Sequence, residues 1–164
     1  MRTRITCLLP FILMMGMSLF AQEPAEEPDL GRMADDLTYD NARYFFEMRL
    51  YDRALERMNE YLEIHIDGIH RKEAYMAIAD IHYRRFDYRK AARAYTGLYE
   101  EFSGSDEGIQ GYLNAGICHD KMGNGRKARG IFNAIIEDHP DSRQAAMART
   151  QLEIMDLTGG RSSK

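Results

Sequence analysis

Apolar side chains in this chain recur at helical spacing, with no run of the strict alternation that marks a strand. Tyr88, Ala91, Ala92, Tyr95, Leu98, Tyr99 and Phe102 form a ladder of steps of three and one, which places all seven on one stripe of an α-helix. The ladder returns as Tyr51, Ala54, Leu55, Met58, Tyr61 and Leu62, and again as Ala128, Phe132, Ile135 and Ile136. The repeated words are "YDRALERMNEYL" from Tyr51, "YRKAARAYTGLY" from Tyr88 and "GRKARGIFNAII" from Gly125, at an interval of 37 residues. A second helical stripe precedes each: Thr38, Asn41, Ala42 and Phe45; Tyr75, Ile78, Ala79 and His82; Tyr112, Ala115, Gly116 and His119. The repeating unit is therefore a pair of helices. The short breaks "RLYD", "RFDY" and "GNGR" make the partners antiparallel neighbours. "HIDGIH", "SGSDEG" and "HPDS" separate the units, and Asp141 with Gln144 three residues on reads as a capping box opening a further helix at Ser142.

Small residues recur where two helix backbones must approach. Ala42, Ala79 and Gly116 mark the first helices, Ala54, Ala91 and Ala128 the second, and Met58, Tyr95 and Phe132 fill the space one turn on. A single pair cannot bury both its faces, whereas stacked pairs wall one another in. The pattern predicts an all-α solenoid over residues 35–157, with units at about 35–68, 72–105 and 109–142 and a closing helix at 142–157.

The small-residue slots, the Tyr or Gly that opens the second helix, the Ala three residues later, the aromatic four after that and the terminal Pro resemble the tetratricopeptide repeat. The likeness is clearest in "GYLNAGICHDKMGNGRKARGIFNAIIEDHPDS". It implies a right-handed α-solenoid of about three helix pairs with a C-terminal capping helix. The interval of 37 exceeds the family's period of about 34, and Ile66 and Ser103 stand where Pro140 does. Three extra residues at each turn between units would account for both. The endings "EEFSGS" and "EDHPDS" resemble the bacterial envelope branch of the family. That branch includes the periplasmic partner protein of the Tol-Pal system and an outer-membrane assembly lipoprotein.

The ends of the chain change the picture. Arg2 and Arg4 precede an uncharged run from Ile5 to Ala21, after which the chain turns polar and acidic. This is the layout of a secretory signal peptide, 1–21, cleaved after Ala21. Leu19 stands where a small residue is usual, which keeps an uncleaved anchor as the alternative. Residues 22–34, "QEPAEEPDLGRMA", read as an acidic, Pro-containing tether, and 158–164 as a disordered tail. The reading is of an exported protein, periplasmic or associated with the outer membrane. The chain carries 22 Lys and Arg against 26 Asp and Glu, and losing Arg2 and Arg4 makes it more acidic still. That balance argues against nucleic acid or an anionic membrane surface as the main partner. Of the two cysteines only Cys118 would survive processing, so no intramolecular disulfide is expected; Cys118 reads as a small buried apolar residue.

Candidate chemistry is sparse. His82 and His119 share a slot on successive first helices with Asp80 and Asp120 nearby. A metal site drawn from them competes with a packing role, since Phe45 holds the same slot in the first unit. There is no phosphate loop, His-Glu-x-x-His or nucleophile turn. The chain is therefore read as non-enzymatic, without cofactor. Arg84, Arg85, Arg89, Lys90 and Arg93 are interleaved with acids and read as a solvated helix face.

The family resemblance implies a binding module whose inner, concave face takes another protein's peptide segment or helix. The first-helix residues that lie off the packing stripe would face it: Tyr39, Arg43, Phe46 and Glu47; Glu73, Met76, Asp80, Tyr83 and Arg84; and Gln110, Leu113, Ile117, Asp120 and Lys121. Tyr83 would sit at the centre. The clamp for C-terminal carboxylates used by some members is not matched, because its places hold Tyr39, Arg43, Ala77, Gln110 and Asn114. Two alternatives stand beside this reading. One is a structural subunit that homo-oligomerises through its outer face or through Met147 and Ile154 of the closing helix; the other is a small metal-dependent enzyme.

Overall fold

The structure is a computed structural model that describes residues 29–159. The leader, most of the tether and most of the tail lie outside the described residues. Within them the chain folds as seven helices with no strand: α1 (Leu30–Glu47), α2 (Tyr51–Ile64), α3 (Arg71–Arg84), α4 (Tyr88–Phe102), α5 (Asp106–Lys121), α6 (Gly125–Asp138) and α7 (Arg143–Gly159). This is an all-α, tetratricopeptide-like solenoid.

One turn, used three times, makes each pair. Arg49, Phe86 and Gly123 sit at φ of 58°, 61° and 75°, in the left-handed region that reverses the chain after a helix. The N–H groups of Leu50, Asp87 and Asn124 then reach back to the carbonyls of Phe45, His82 and His119 at 2.9 Å each. These bonds satisfy helix ends that would otherwise be orphaned. The connections between pairs differ from one another: 65–70, 103–105 and 139–142. Extra residues therefore lengthen the first such turn, while at the second α4 and α5 absorb them as added helix.

Each helix packs on the next, and the added contacts α3 with α5 and α5 with α7 bring alternate helices side by side. The core is three clusters in series. Tyr39, Ala42, Met58, Tyr61 and Ile78 form the first; Ala79, Ala91, Tyr95, Ala115 and Cys118 the second; Leu113, Ala128, Phe132, Ile135, Ala148 and Met155 the last. Gly116 shows why a slot must stay small: a Cβ there would meet Cε1 of Phe132 at 2.5 Å. Arg71 staples two units. It donates to the carbonyls of Leu62 and His65 at 2.7 Å each and forms a two-pronged pair with Glu101.

Several boundaries and phases differ from the sequence reading. α1 begins at Leu30, inside the expected tether, because Asp29 caps it by accepting from the Arg32 N–H at 3.0 Å. Ser142, rather than Asp141, caps α7, accepting from the Ala145 N–H at 3.0 Å; Gln144 turns away to donate to the Asp106 carbonyl at 3.2 Å. Asn41, expected on the stripe, is exposed, whereas Ala74, Ala77, Ile81, Leu113 and Cys118 are buried off it. An interior first helix is gripped by its own partner and by the second helix before it, so it buries more than one stripe.

Among the described residues, no second helix grips the outer side of α1. Leu30, Met33, Leu37, Tyr44 and Met48 stand exposed along it, Leu37 by 73%. One interval on, Ala74 in place of Leu37 and Ile78 in place of Asn41 are buried beneath α2, and Gly111 and Ala115 are buried beneath α4. No helix among the described residues is long and apolar enough to cross a membrane.

Candidate functional site

Between α1 and α3 lies a groove of about 330 Å³. Its floor comes from both helices and from the α2 behind them: Tyr39 and Phe46 on α1, Met58 on α2, Met76 and Ala77 on α3. These residues meet because Ala42 and Ala77 keep the helices close enough for Met58 to fill the space between them. Tyr39 is held from below by ring contact with His70, stacked at 4.4 Å, and with Tyr61, edge-on at 5.7 Å. Burial, and then the charge of Glu73, push the Tyr39 phenol above its ordinary pKa.

Charged side chains make the rim. Arg43 is engaged by Asp40 at 3.1 Å and Glu47 at 3.5 Å, and Lys72 by Glu107 at 3.2 Å. Asp80 accepts a hydrogen bond from the Tyr95 hydroxyl at 3.0 Å through one oxygen, and its other oxygen meets no donor among the described residues. Burial and this carboxylate both drive the Tyr95 phenol upward in pKa. Glu73 is exposed and carries no ion pair or hydrogen bond among the described residues.

Seven of the residues singled out from sequence thus line one groove: Tyr39, Arg43, Phe46, Glu47, Glu73, Met76 and Asp80. The others are elsewhere. Tyr83 packs edge-on against Tyr88 at 5.4 Å, joining the second core cluster rather than this floor. Arg84, Asp120 and Lys121 are exposed beyond the groove. Gln110 bonds Asn114 along its own helix, and Ile117 packs on the last core cluster. Leu113 is a correction, since at 0% exposure it is core, locked among Ala128, Phe132 and their neighbours. Tyr39 is nearly as buried, presenting only an edge. Sequence reasoning missed Lys72 and Glu107, because two first-turn charges on different helices carry no signal of sharing a groove.

Other constellations resolve into structure. His82 and His119, weighed as metal ligands, are held below their ordinary pKa by burial, as packing groups are. Among the described residues, Asp35, Asp36 and His70 bring three ligand-type atoms within 4.8 Å of one another. Each is already engaged: Asp35 by the Tyr61 hydroxyl at 2.7 Å and the Ile69 N–H at 3.0 Å, and Asp36 by His70 at 2.7 Å. They secure the first turn between units. Arg85 and Lys90 of the basic run pair with Asp52 and Asp87. Burial pushes the Cys118 thiol up to about 11, far from a reactive thiolate. A wider hollow of about 750 Å³ at the α5–α6 turn is lined by Arg89, His119, Met122, Arg126, Lys127 and turn backbone, so three of its side chains are cationic.

Residues 82–152 match the tetratricopeptide repeat family. The matched tetratricopeptide span runs from the end of α3 through α4, α5 and α6 into α7. Tetratricopeptide repeats generally mediate protein–protein interaction and generally serve as non-enzymatic scaffolds. No curated protein matches the chain.

Proposed function

We propose that this protein is a non-catalytic binding module of the bacterial cell envelope that holds a peptide segment or helix of another protein in the α1–α3 groove. The observation that carries the reading is the groove itself, an apolar floor of Phe46 and Met76 over the buried Met58, inside a charged rim on a tetratricopeptide-like scaffold. Partners of such repeats bury apolar anchors in a pocket while rim charges set register. Export rests on the leader-like residues 1–21. The test is recovery of the protein from the envelope fraction with bound proteins crosslinked in place. The recovered chain should begin at Gln22 by intact mass, and its principal crosslinked partner should be lost from Met76→Lys but retained by Arg93→Ala, which alters an exposed residue of α4. Retention by Met76→Lys would place recognition elsewhere.

A second reading is favoured by the open side of α1, where Leu30, Met33, Leu37, Tyr44 and Met48 are exposed. In it the chain is a structural subunit that assembles through the end of its stack. The closing helix gives it less support, because Met147 packs partly on the core and leaves Ile154 and Leu157 as its exposed large residues.

A further inference from the structure

The charge around the groove is unbalanced in a way that selects a ligand. Six charged side chains line it, of which Glu47, Glu73, Asp80 and Glu107 are acidic and only Arg43 and Lys72 basic. Both cations are already taken up by carboxylates, Arg43 by Asp40 and Glu47 and Lys72 by Glu107. What remains unneutralised is Glu73 and the second oxygen of Asp80. These lie two turns apart on one face of α3, about 10 Å by helical rise, with Met76 and Ala77 between them. A neutral or acidic segment laid over Met76 would bury these carboxylates without partners, a costly outcome in a half-desolvated site. A segment with an apolar side chain between two basic ones would neutralise both while filling the floor. An extended chain covers about 10 Å in roughly three residues, so Lys or Arg close on either side of the anchor would reach.

We infer that the groove is selective for a cationic segment, a large apolar residue flanked on both sides by Lys or Arg, in the protein partner. This rests on the proposed function and specifies the partner's chemistry. The test uses the intact chain and three sets of immobilised peptides with a central Leu, Phe or Met, flanked by Lys and Arg, by Asp and Glu, or by Ser and Gly. The basic set should be retained best, and its binding should weaken as salt rises from about 0.01 to about 0.5 M, since exposed charge pairs are screened. Glu73→Gln should weaken it about tenfold, the loss of one charge-assisted contact, and Glu73→Lys should turn preference toward the acidic set. Equal retention of the sets, or preference for the acidic or neutral set by the native chain, overturns the inference. If Met76→Lys nevertheless abolishes that binding, the groove remains the binding site and only the charge selectivity falls. Failure of every set to bind, or binding indifferent to Met76→Lys, removes the groove reading and the inference together.

Discussion

Phe86 holds a backbone conformation that suits glycine, at φ of 61° with its ring largely exposed. Its counterpart one interval on is Gly123, which adopts the same turn without a Cβ. A bulky residue there carries left-handed strain of about 1 to 2 kcal/mol, partly offset because glycine loses more entropy on folding. Phe86→Gly should therefore stabilise the protein by about 0.5 to 1 kcal/mol, read as a raised denaturant midpoint. A lowered midpoint would mean that the Phe86 contact with Tyr88 outweighs the strain. Acid sensitivity also has a residue-scale origin. Hydrogen bonding from Arg71, followed by its charge, holds the Glu101 carboxyl below its ordinary pKa of 4.5. A depressed carboxylate pKa adds stability that is present above 4.5 and is lost as pH falls through the folded value. Below 6.5 the half-buried, neutral-favouring His82 and His119 act in the same direction. Urea midpoints of Glu101→Gln should accordingly start lower at neutral pH and decline less steeply on acidification than those of the native chain.

At the scale of the helix, second helices were legible from sequence and first helices only in part. α2, α4 and α6 each bury one stripe, so Ala54, Met58, Ala91, Tyr95, Ala128 and Phe132 could be placed by spacing alone. α3 and α5 are covered on more than one side, and a helix buried nearly all round has no single stripe to read. That is why Leu113 looked free for a ligand; Asn41 looked packed because the same slot, Ile78 and Ala115, is buried in the covered helices. Where the burial is one-sided, overpacking should be decisive. Ala91 has no exposure and sits against the neighbouring helices of the second cluster, so Ala91→Leu should cost about 1 to 3 kcal/mol. Arg93→Leu, on the exposed side of α4, should shift the thermal midpoint little. Equal losses would mean that α4 is wrongly phased.

For the molecule as a whole, the order of the pairs was written in the 37-residue interval, but the groove was legible only as half of a list. Seven residues could be collected because first helices supply a common face. Which of them converge depends on how closely α1 and α3 come together over the buried Met58 and on where Tyr83 turns, and those are set by tertiary packing. The open side of α1 was also invisible, since it is defined by a neighbour that α3 and α5 have and that has no counterpart for α1 among the described residues. If that side pairs copies of the chain, light scattering should report more than a monomer, and Leu37→Glu should return it to one. A monomeric native protein would end the assembly reading at this surface. The serial layout has a mechanical consequence as well. Because each helix leans almost wholly on those adjacent in sequence, force applied at the two ends loads the contacts one after another. The protein should lengthen under tension in successive small steps, behaving as a compliant tether between whatever its ends and its groove hold.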